Sequence, residues 1–171
     1  MTVFSDGLMA KAAQVLSVCR ALNIRLATAE SCTGGLVSAL LTELAGSSDV
    51  VERGFIVYSN QAKIDMLGVP AGVLEEHGAV SEPVARAMAE GACTGARTAI
   101  AVSITGIAGP GGGTELKPVG LVHIACAGAG FDTVHRREQF HGDRSAIRLL
   151  SVAVALDLLL LQADRLSLGG P

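Results

Sequence analysis

The feature that most restricts the fold of this 171-residue chain is a pair of short apolar runs that each break into a loop of small residues. Residues 24–29 (IRLATA) pass through AESCTGG (residues 29–35) into a helical pattern over residues 36–44 that ends near Gly46. Residues 98–105 (TAIAVSIT) run directly into TGIAGPGGG (residues 105–113). Apolar runs of this length, bounded by turn formers, read as buried strands. A continuously apolar strand needs cover on both faces, which in a soluble domain means helices above and below a sheet. With four Phe, one Tyr and no Trp, the core must be built from Val, Leu, Ile and Ala, an inventory suited to close helix-on-sheet packing.

The remaining elements follow from periodicity and punctuation. Leu8, Ala12, Val15, Leu16, Cys19 and Leu22 recur at helical spacing after Ser5 or Asp6 as a cap, predicting a helix over residues 6–22. Residues 54–58 (GFIVY) predict a second strand, followed by a polar helical segment through Gln61, Lys63 and Met66 that stops at Gly68 and Pro70. Ser81, Glu82 and Pro83 open another helix running to about Gly95, with proline where its missing donor is harmless. Residues 119–127 and 131–140 predict a hairpin, its second strand alternating as an exposed strand does. Asp143 reads as the cap of a last helix reaching about Gln162. The order α, β, α, β, α, α, β, β, β, α has no repeat or low-complexity linker. It predicts one domain, a three-layer α/β/α sandwich with a mixed, mostly parallel sheet.

Several functional classes are argued against. A net charge of −3 without a run of Lys or Arg does not fit a nucleic-acid partner, whose phosphates demand a basic surface. Cys19, Cys32, Cys93 and Cys126 stand far apart, with no CxxC pair, so they read as free thiols of a reducing compartment. No cluster of His, Cys and carboxylates has metal-ligand spacing, and no metal or cofactor is expected. The first residues lack a secretory pattern, which places the chain in the cytoplasm. The most apolar tract, residues 149–161, contains Asp157 and is shorter than the ~20 residues that span a bilayer, so it reads as a buried helix and no membrane partner is expected. Association into a homo-oligomer is compatible with so apolar a composition.

In open α/β sheets ligands settle beyond the carboxyl ends of strands, where both small-residue loops begin. Their backbone N–H groups can converge on an anion, although glycines also simply make turns. Neither GxGxxG after the first strand nor the GK[ST] ending of a P-loop is present, which weakens dinucleotide and NTPase readings. Ser31 sits at a strand-to-helix junction, fit for a helix cap or for a nucleophile. None of His77, His123, His135 or His141 falls in a Ser-His-Asp pattern. Lys63, five residues beyond the second strand, is an alternative base if a dry pocket keeps it neutral, and otherwise a solvated side chain. Tyr58 can pack or relay a proton. Arg144 and Arg148, spaced i, i+4, invite an anion between them or are merely solvated. Cys32 ranks below Ser31 as a nucleophile because no histidine adjoins it.

The strings TAESCTGGLVSALLTELAGSS, ERGFIVYSNQAKIDMLGV, HGAVSEPVARAMAEGA, SITGIAGPGGGTELKPVG and FHGDRSAIR, in this order over roughly residues 6 to 162, closely resemble the CinA C-terminal domain family, the nicotinamide-nucleotide amidohydrolases. The resemblance implies hydrolysis of the carboxamide of nicotinamide mononucleotide to nicotinate mononucleotide and ammonia, in pyridine nucleotide recycling, by a Ser/Lys site without a cofactor. It implies Ser31 as nucleophile, Lys63 as base, Tyr58 and Thr105 as site members and Arg144 as a substrate-binding arginine. The small-molecule mononucleotide would then be held by backbone groups of Thr33, Gly34, Gly35, Gly106 and Gly109, one loop taking the oxyanion and the other the phosphate. A non-catalytic module binding a nucleotide or phosphate, and an amidase for another carboxamide, are the competing readings.

Overall fold

The computed structural model describes residues 2–169. A five-stranded sheet in the order β2-β1-β3-β4-β5 forms its middle layer, built from β1 (Leu26–Glu30), β2 (Val51–Ile56), β3 (Ile100–Gly106), β4 (Leu121–Gly128) and β5 (Phe131–Gln139). β1 pairs in parallel with β2 and β3, whereas β4 runs antiparallel to β3 and β5 antiparallel to β4. Four strands therefore share one direction and β4 alone is reversed; the sheet is mixed as expected, with two parallel and two antiparallel pairings rather than mostly parallel ones. The carboxyl ends of β1, β2, β3 and β5 consequently meet along one edge.

Six helices cover the sheet: α1 (Asp6–Ala21), α2 (Leu36–Thr42), α3 (Asn60–Leu67), α4 (Ala71–His77), α5 (Glu82–Ala96) and α6 (Arg144–Leu168). The two faces are built from different residue sizes. Leu26, Ile100, Val102, Ile104, Val122 and Ile124 join α1, α2 and α6 in one core, whereas Ala27, Ala29 and Ala101 meet α3, α4 and α5 in another. Ala125 and Ala127 continue the small face beneath Ala85 and Ala89 of α5. Small residues on both sides bring α5 close to the strands, so that Ser103 donates to the Ala85 carbonyl at 2.6 Å. The same closeness explains Gly91, where an added Cβ would lie 1.9 Å from the Leu67 carbonyl oxygen of α3.

Caps match the sequence expectations. Ser5 accepts from the Leu8 N–H, Ser81 from Val84 and Asp143 from Ala146. Three boundaries differ. β2 lies earlier than residues 54–58, which leaves Tyr58 beyond the strand end. The seven residues of α4, with Leu74 as their fully buried contact, are too few to show a helical period, and the sequence reading passed over them. α6 runs to Leu168 rather than about Gln162 because polar residues at its exposed end obscured the continuing pattern. By length and hydropathy α6 could cross a membrane, but half of its most apolar stretch is buried in this core. Cys19, Cys32, Cys93 and Cys126 are all free thiols.

Under the start of α5, His123 and His135 stack with Nδ1 and Nε2 3.0 Å apart, and His135 Nδ1 lies 3.3 Å from the Glu82 carboxylate. Burial, with the neighbouring His135 adding to it, pushes His123 down to about 4. His135 is lowered as well, again chiefly by burial. Both rings are thus folded neutral and would protonate more readily in the unfolded chain, so their contribution is fully present above pH ~6.5 and is lost as pH falls toward about 4.

Two outcomes are expected from these packing arguments. Chemical denaturation from pH 6.5 down to 4 should show a stability loss that is shallower in His123→Gln. Gly91→Ala should lose about 3 kcal/mol, the upper end for overpacking, because the obstructing atom is backbone. A Gly91→Ala midpoint equal to the parent's would contradict the close α3–α5 approach.

Candidate active site

Since β1, β2 and β3 are parallel, Ser31, Tyr58 and the glycine loop after Gly106 emerge at one edge of the sheet, and the direction of β5 brings the start of α6 there too. Ser31 follows β1 directly, its N–H donating to the Ile104 carbonyl of β3 at 3.0 Å. Lys63 projects from α3, a helix capped by Ser59, and is 1% exposed. Its Nζ donates to the Val57 carbonyl at 2.9 Å and to the Tyr58 carbonyl at 3.4 Å, and lies 3.2 Å from Ser31 Oγ. No carboxylate pairs with Lys63 among the described residues. Burial lowers its pKa from the ordinary 10.5, and the nearby Cys32 opposes this only in part. A serine hydroxyl thus faces an amine that burial makes easier to deprotonate, an arrangement suited to a nucleophile and its base.

The helix-cap reading of Ser31 does not hold, because the start of α2 is met by another residue. Glu30, fully buried at the end of β1, accepts hydrogen bonds from the N–H groups of Gly35, Val37 and Ser38 at 3.0, 3.1 and 3.0 Å. Thr28 Oγ1 lies 3.2 Å from the same carboxylate and 2.6 Å from Ser38 Oγ. An internal anion therefore occupies the helix N-terminus that the sequence left open to a ligand. Gly35 spends its N–H on Glu30, and Gly34 spends its own on the Ser31 carbonyl at 3.1 Å, so neither serves substrate as expected. Their positive φ values of 98° and 59° let the chain turn instead. Thr33 is buried, and its hydroxyl has no partner among the described residues. The signal for Glu30 was a carboxylate inside an apolar strand, immediately before a helix start, which sequence reasoning overlooked.

The two arginines of α6 have separate tasks rather than a shared anion. Arg144 donates to the Gly109 carbonyl at 2.7 Å and lies 3.2 Å from the Tyr58 hydroxyl, on the exposed side of the crevice. Arg148 donates from Nε to the Cys32 carbonyl at 3.1 Å and from Nη2 to the Thr33 carbonyl at 2.8 Å. One helix thereby ties both loops. Tyr58 is 63% exposed, so it walls the crevice rather than packing in the core. Burial pushes the Cys32 thiol up to about 11, which makes it an inert neighbour.

Thr105 and Gly106 make close contacts within the fold. The buried Thr105 hydroxyl donates to the Ala79 carbonyl at 2.8 Å, and a Cβ on Gly106 would come within 2.8 Å of the Leu121 carbonyl oxygen on β4. Beyond them the loop opens. Ile107 donates to Leu121 and Thr114 to Lys117, but between these the N–H groups of Ala108, Gly109, Gly111, Gly112 and Gly113 have no acceptor among the described residues. Such a run of free donors suits an anion. A separate concavity of about 460 Å³, lined by Glu90, Cys93, Thr98 and Phe131 among others, lies at the opposite ends of the strands. It contains no paired nucleophile and base, so chemistry rather than volume marks the candidate site.

Comparison with known proteins shows the family. The CinA C-terminal domain family profile matches residues 9–163. A CinA-like protein of Syntrophobacter fumaroxidans is 58% identical over 135 residues, 79% of this chain but 32% of that relative, so the chain spans about a third of its length. The nicotinamide-nucleotide amidohydrolase PncC of Escherichia coli (strain K12) is 52% identical over 152 residues, 89% of this chain and 92% of the relative. Among solved structures, the competence/damage inducible protein CihA from Agrobacterium tumefaciens superposes with a TM-score of 0.93 at 45% identity, covering 95% of this chain and 99% of that one. On the sequence match, the shared three-layer fold and the continuity of both across the whole sheet, this chain belongs to the CinA C-terminal domain family.

Proposed function

We propose that the chain acts as a single amidohydrolase domain of the cytoplasm, converting nicotinamide mononucleotide and water to nicotinate mononucleotide and ammonia. The observation that carries the mechanism is the 3.2 Å approach of buried Lys63 to Ser31 Oγ. A neutral amine has two protons and one lone pair. In Lys63 the carbonyls of Val57 and Tyr58 take the protons, which leaves the lone pair for the Ser31 hydroxyl. The substrate assignment is supported by the match to the PncC amidohydrolase over nearly its full length.

In this reading Lys63 takes the Ser31 proton as Oγ attacks the carboxamide carbon, and the resulting ammonium returns a proton to the departing nitrogen as the C–N bond breaks. Ammonia leaves an acyl-enzyme. Water then attacks the ester, with Lys63 again receiving the proton, and the carboxylate product departs as Ser31 regains its hydrogen. The phosphate falls to the free N–H groups of Gly109, Gly111, Gly112 and Gly113, with the exposed Arg144 guanidinium beside them, since Glu30 already fills the other loop's helix terminus. Tyr58 and Arg144 close the outer wall.

Direct assay of ammonia release from nicotinamide mononucleotide tests the whole reading. Ser31→Ala should lose activity on the order of 10⁴-fold or more while retaining nucleotide binding. Normal turnover by that variant would remove Ser31 from the mechanism. The rate should rise with pH as Lys63 loses its proton, along a limb displaced below the ordinary 10.5 because burial lowers its pKa. Lys63→Arg should be inactive, since arginine does not deprotonate, and full activity there would reject the base assignment.

A further inference from the structure

We propose that Arg148 is a positioning residue for the Ser31 reaction, aiming the Thr33 backbone N–H into the crevice as a donor to the oxyanion without itself touching substrate. This rests on Ser31 acting as the nucleophile. Arg148 belongs to α6, which packs on the face of the sheet that carries α1 and α2, whereas Lys63 belongs to α3 on the opposite face. The Ser31 loop at the sheet edge is therefore held from one side and attacked from the other.

Peptide planarity converts this hold into an orientation. The Cys32 carbonyl and the Thr33 N–H belong to one trans peptide and point in opposite directions. With Arg148 Nε on the Cys32 oxygen at 3.1 Å, the Thr33 N–H is directed away from the Arg148 guanidinium. The next peptide is fixed at both ends, the Thr33 oxygen by Arg148 Nη2 at 2.8 Å and the Gly34 N–H by the Ser31 oxygen at 3.1 Å. The loop therefore has little freedom to rotate the intervening plane. The Thr33 N–H has no partner among the described residues, as a donor reserved for a developing charge would not.

The Glu30 contacts strengthen the assignment. They hold the N–H groups of Gly35, Val37 and Ser38, so the donors on the α2 side of the loop are spent and Thr33 stands apart from them. Arg148 places Nε and Nη2 on two successive carbonyls, and through these contacts it orients the loop backbone. Lysine offers a single point of donation and cannot bridge the two oxygens as a planar guanidinium does.

The test compares the parent with Arg148→Met and Arg148→Lys in ammonia release from nicotinamide mononucleotide, and in the rate at which a fluorophosphonate modifies Ser31, followed by intact mass. Arg148→Met should lose roughly 10²–10³-fold in kcat, the cost of an oxyanion donor. KM should stay within about threefold, because an interaction made only in the transition state is what is removed. Phosphonylation of Ser31 should slow in parallel, the pH–rate midpoint set by Lys63 should not move, and Arg148→Lys should recover part of the loss. A folded Arg148→Met with parental kcat, a loss confined to KM, or a displaced pH profile would each overturn the proposal. If Arg148→Met does not fold, Arg148→Lys is read against the same criteria. A parent chain that is phosphonylated at Ser31 but releases no ammonia would reject the substrate, leaving the Arg148 comparison to be decided on phosphonylation alone. A parent chain inert to both would reject the nucleophile and the Arg148 proposal with it.

Discussion

The buried carboxylate of Glu30 at the start of α2 sets the form of the site. Three backbone N–H groups that a helix N-terminus would otherwise present to solvent or ligand converge on one side chain from the strand immediately before it. The helix dipole favours the charge, and the carboxylate stitches strand to helix across the loop that carries Ser31. Thr28 and Ser38 complete the network, and Gly54 on the neighbouring strand leaves room for both hydroxyls. Its anion-binding capacity is used for architecture, and the free donors of the crevice lie mainly on the glycine loop.

A second constraint comes from the size difference between the two faces of the sheet. Small residues beneath α5 draw that layer inward, and Gly91 lets α3 follow it. α3 thereby seats Lys63 against the sheet edge, buried and without a carboxylate partner among the described residues. Desolvation of a lone ammonium is unfavourable, and carbonyls of Val57 and Tyr58 offset only part of it. The pressure toward the neutral amine is thus a consequence of the burial of Lys63. The opposite face, with Leu, Ile and Val, anchors α6, whose two arginines brace the loops from above.

Much of the fold was legible because its signals are local. Helix caps at Ser5, Ser81 and Asp143, the apolar runs of β1 and β3, and the hairpin of β4 and β5 each follow from residues within one element and its flanks. α4 escaped because seven residues carry no readable period, and β2 was placed too late because its outward half, VERG, is polar at a sheet edge. Serine 31 and lysine 63 were identifiable as candidates by type and by their places after strands. A glycine-rich string does not say which of its members face a neighbouring strand, as Gly106 does against β4.

What the sequence by itself determined is every strand and helix but α4, the caps at Ser5, Ser81 and Asp143, and the residues able to do acyl chemistry. These depend on spacing and local backbone preference, which are written along the chain. Tertiary structure alone decided that Lys63 reaches Ser31, that Glu30 rather than a ligand fills the α2 terminus, and that Arg148 grips the loop 115 and 116 residues before it. Those contacts depend on strand order and on which face each helix covers. No spacing rule encodes either, because both are settled by the packing of the whole sheet between its two layers.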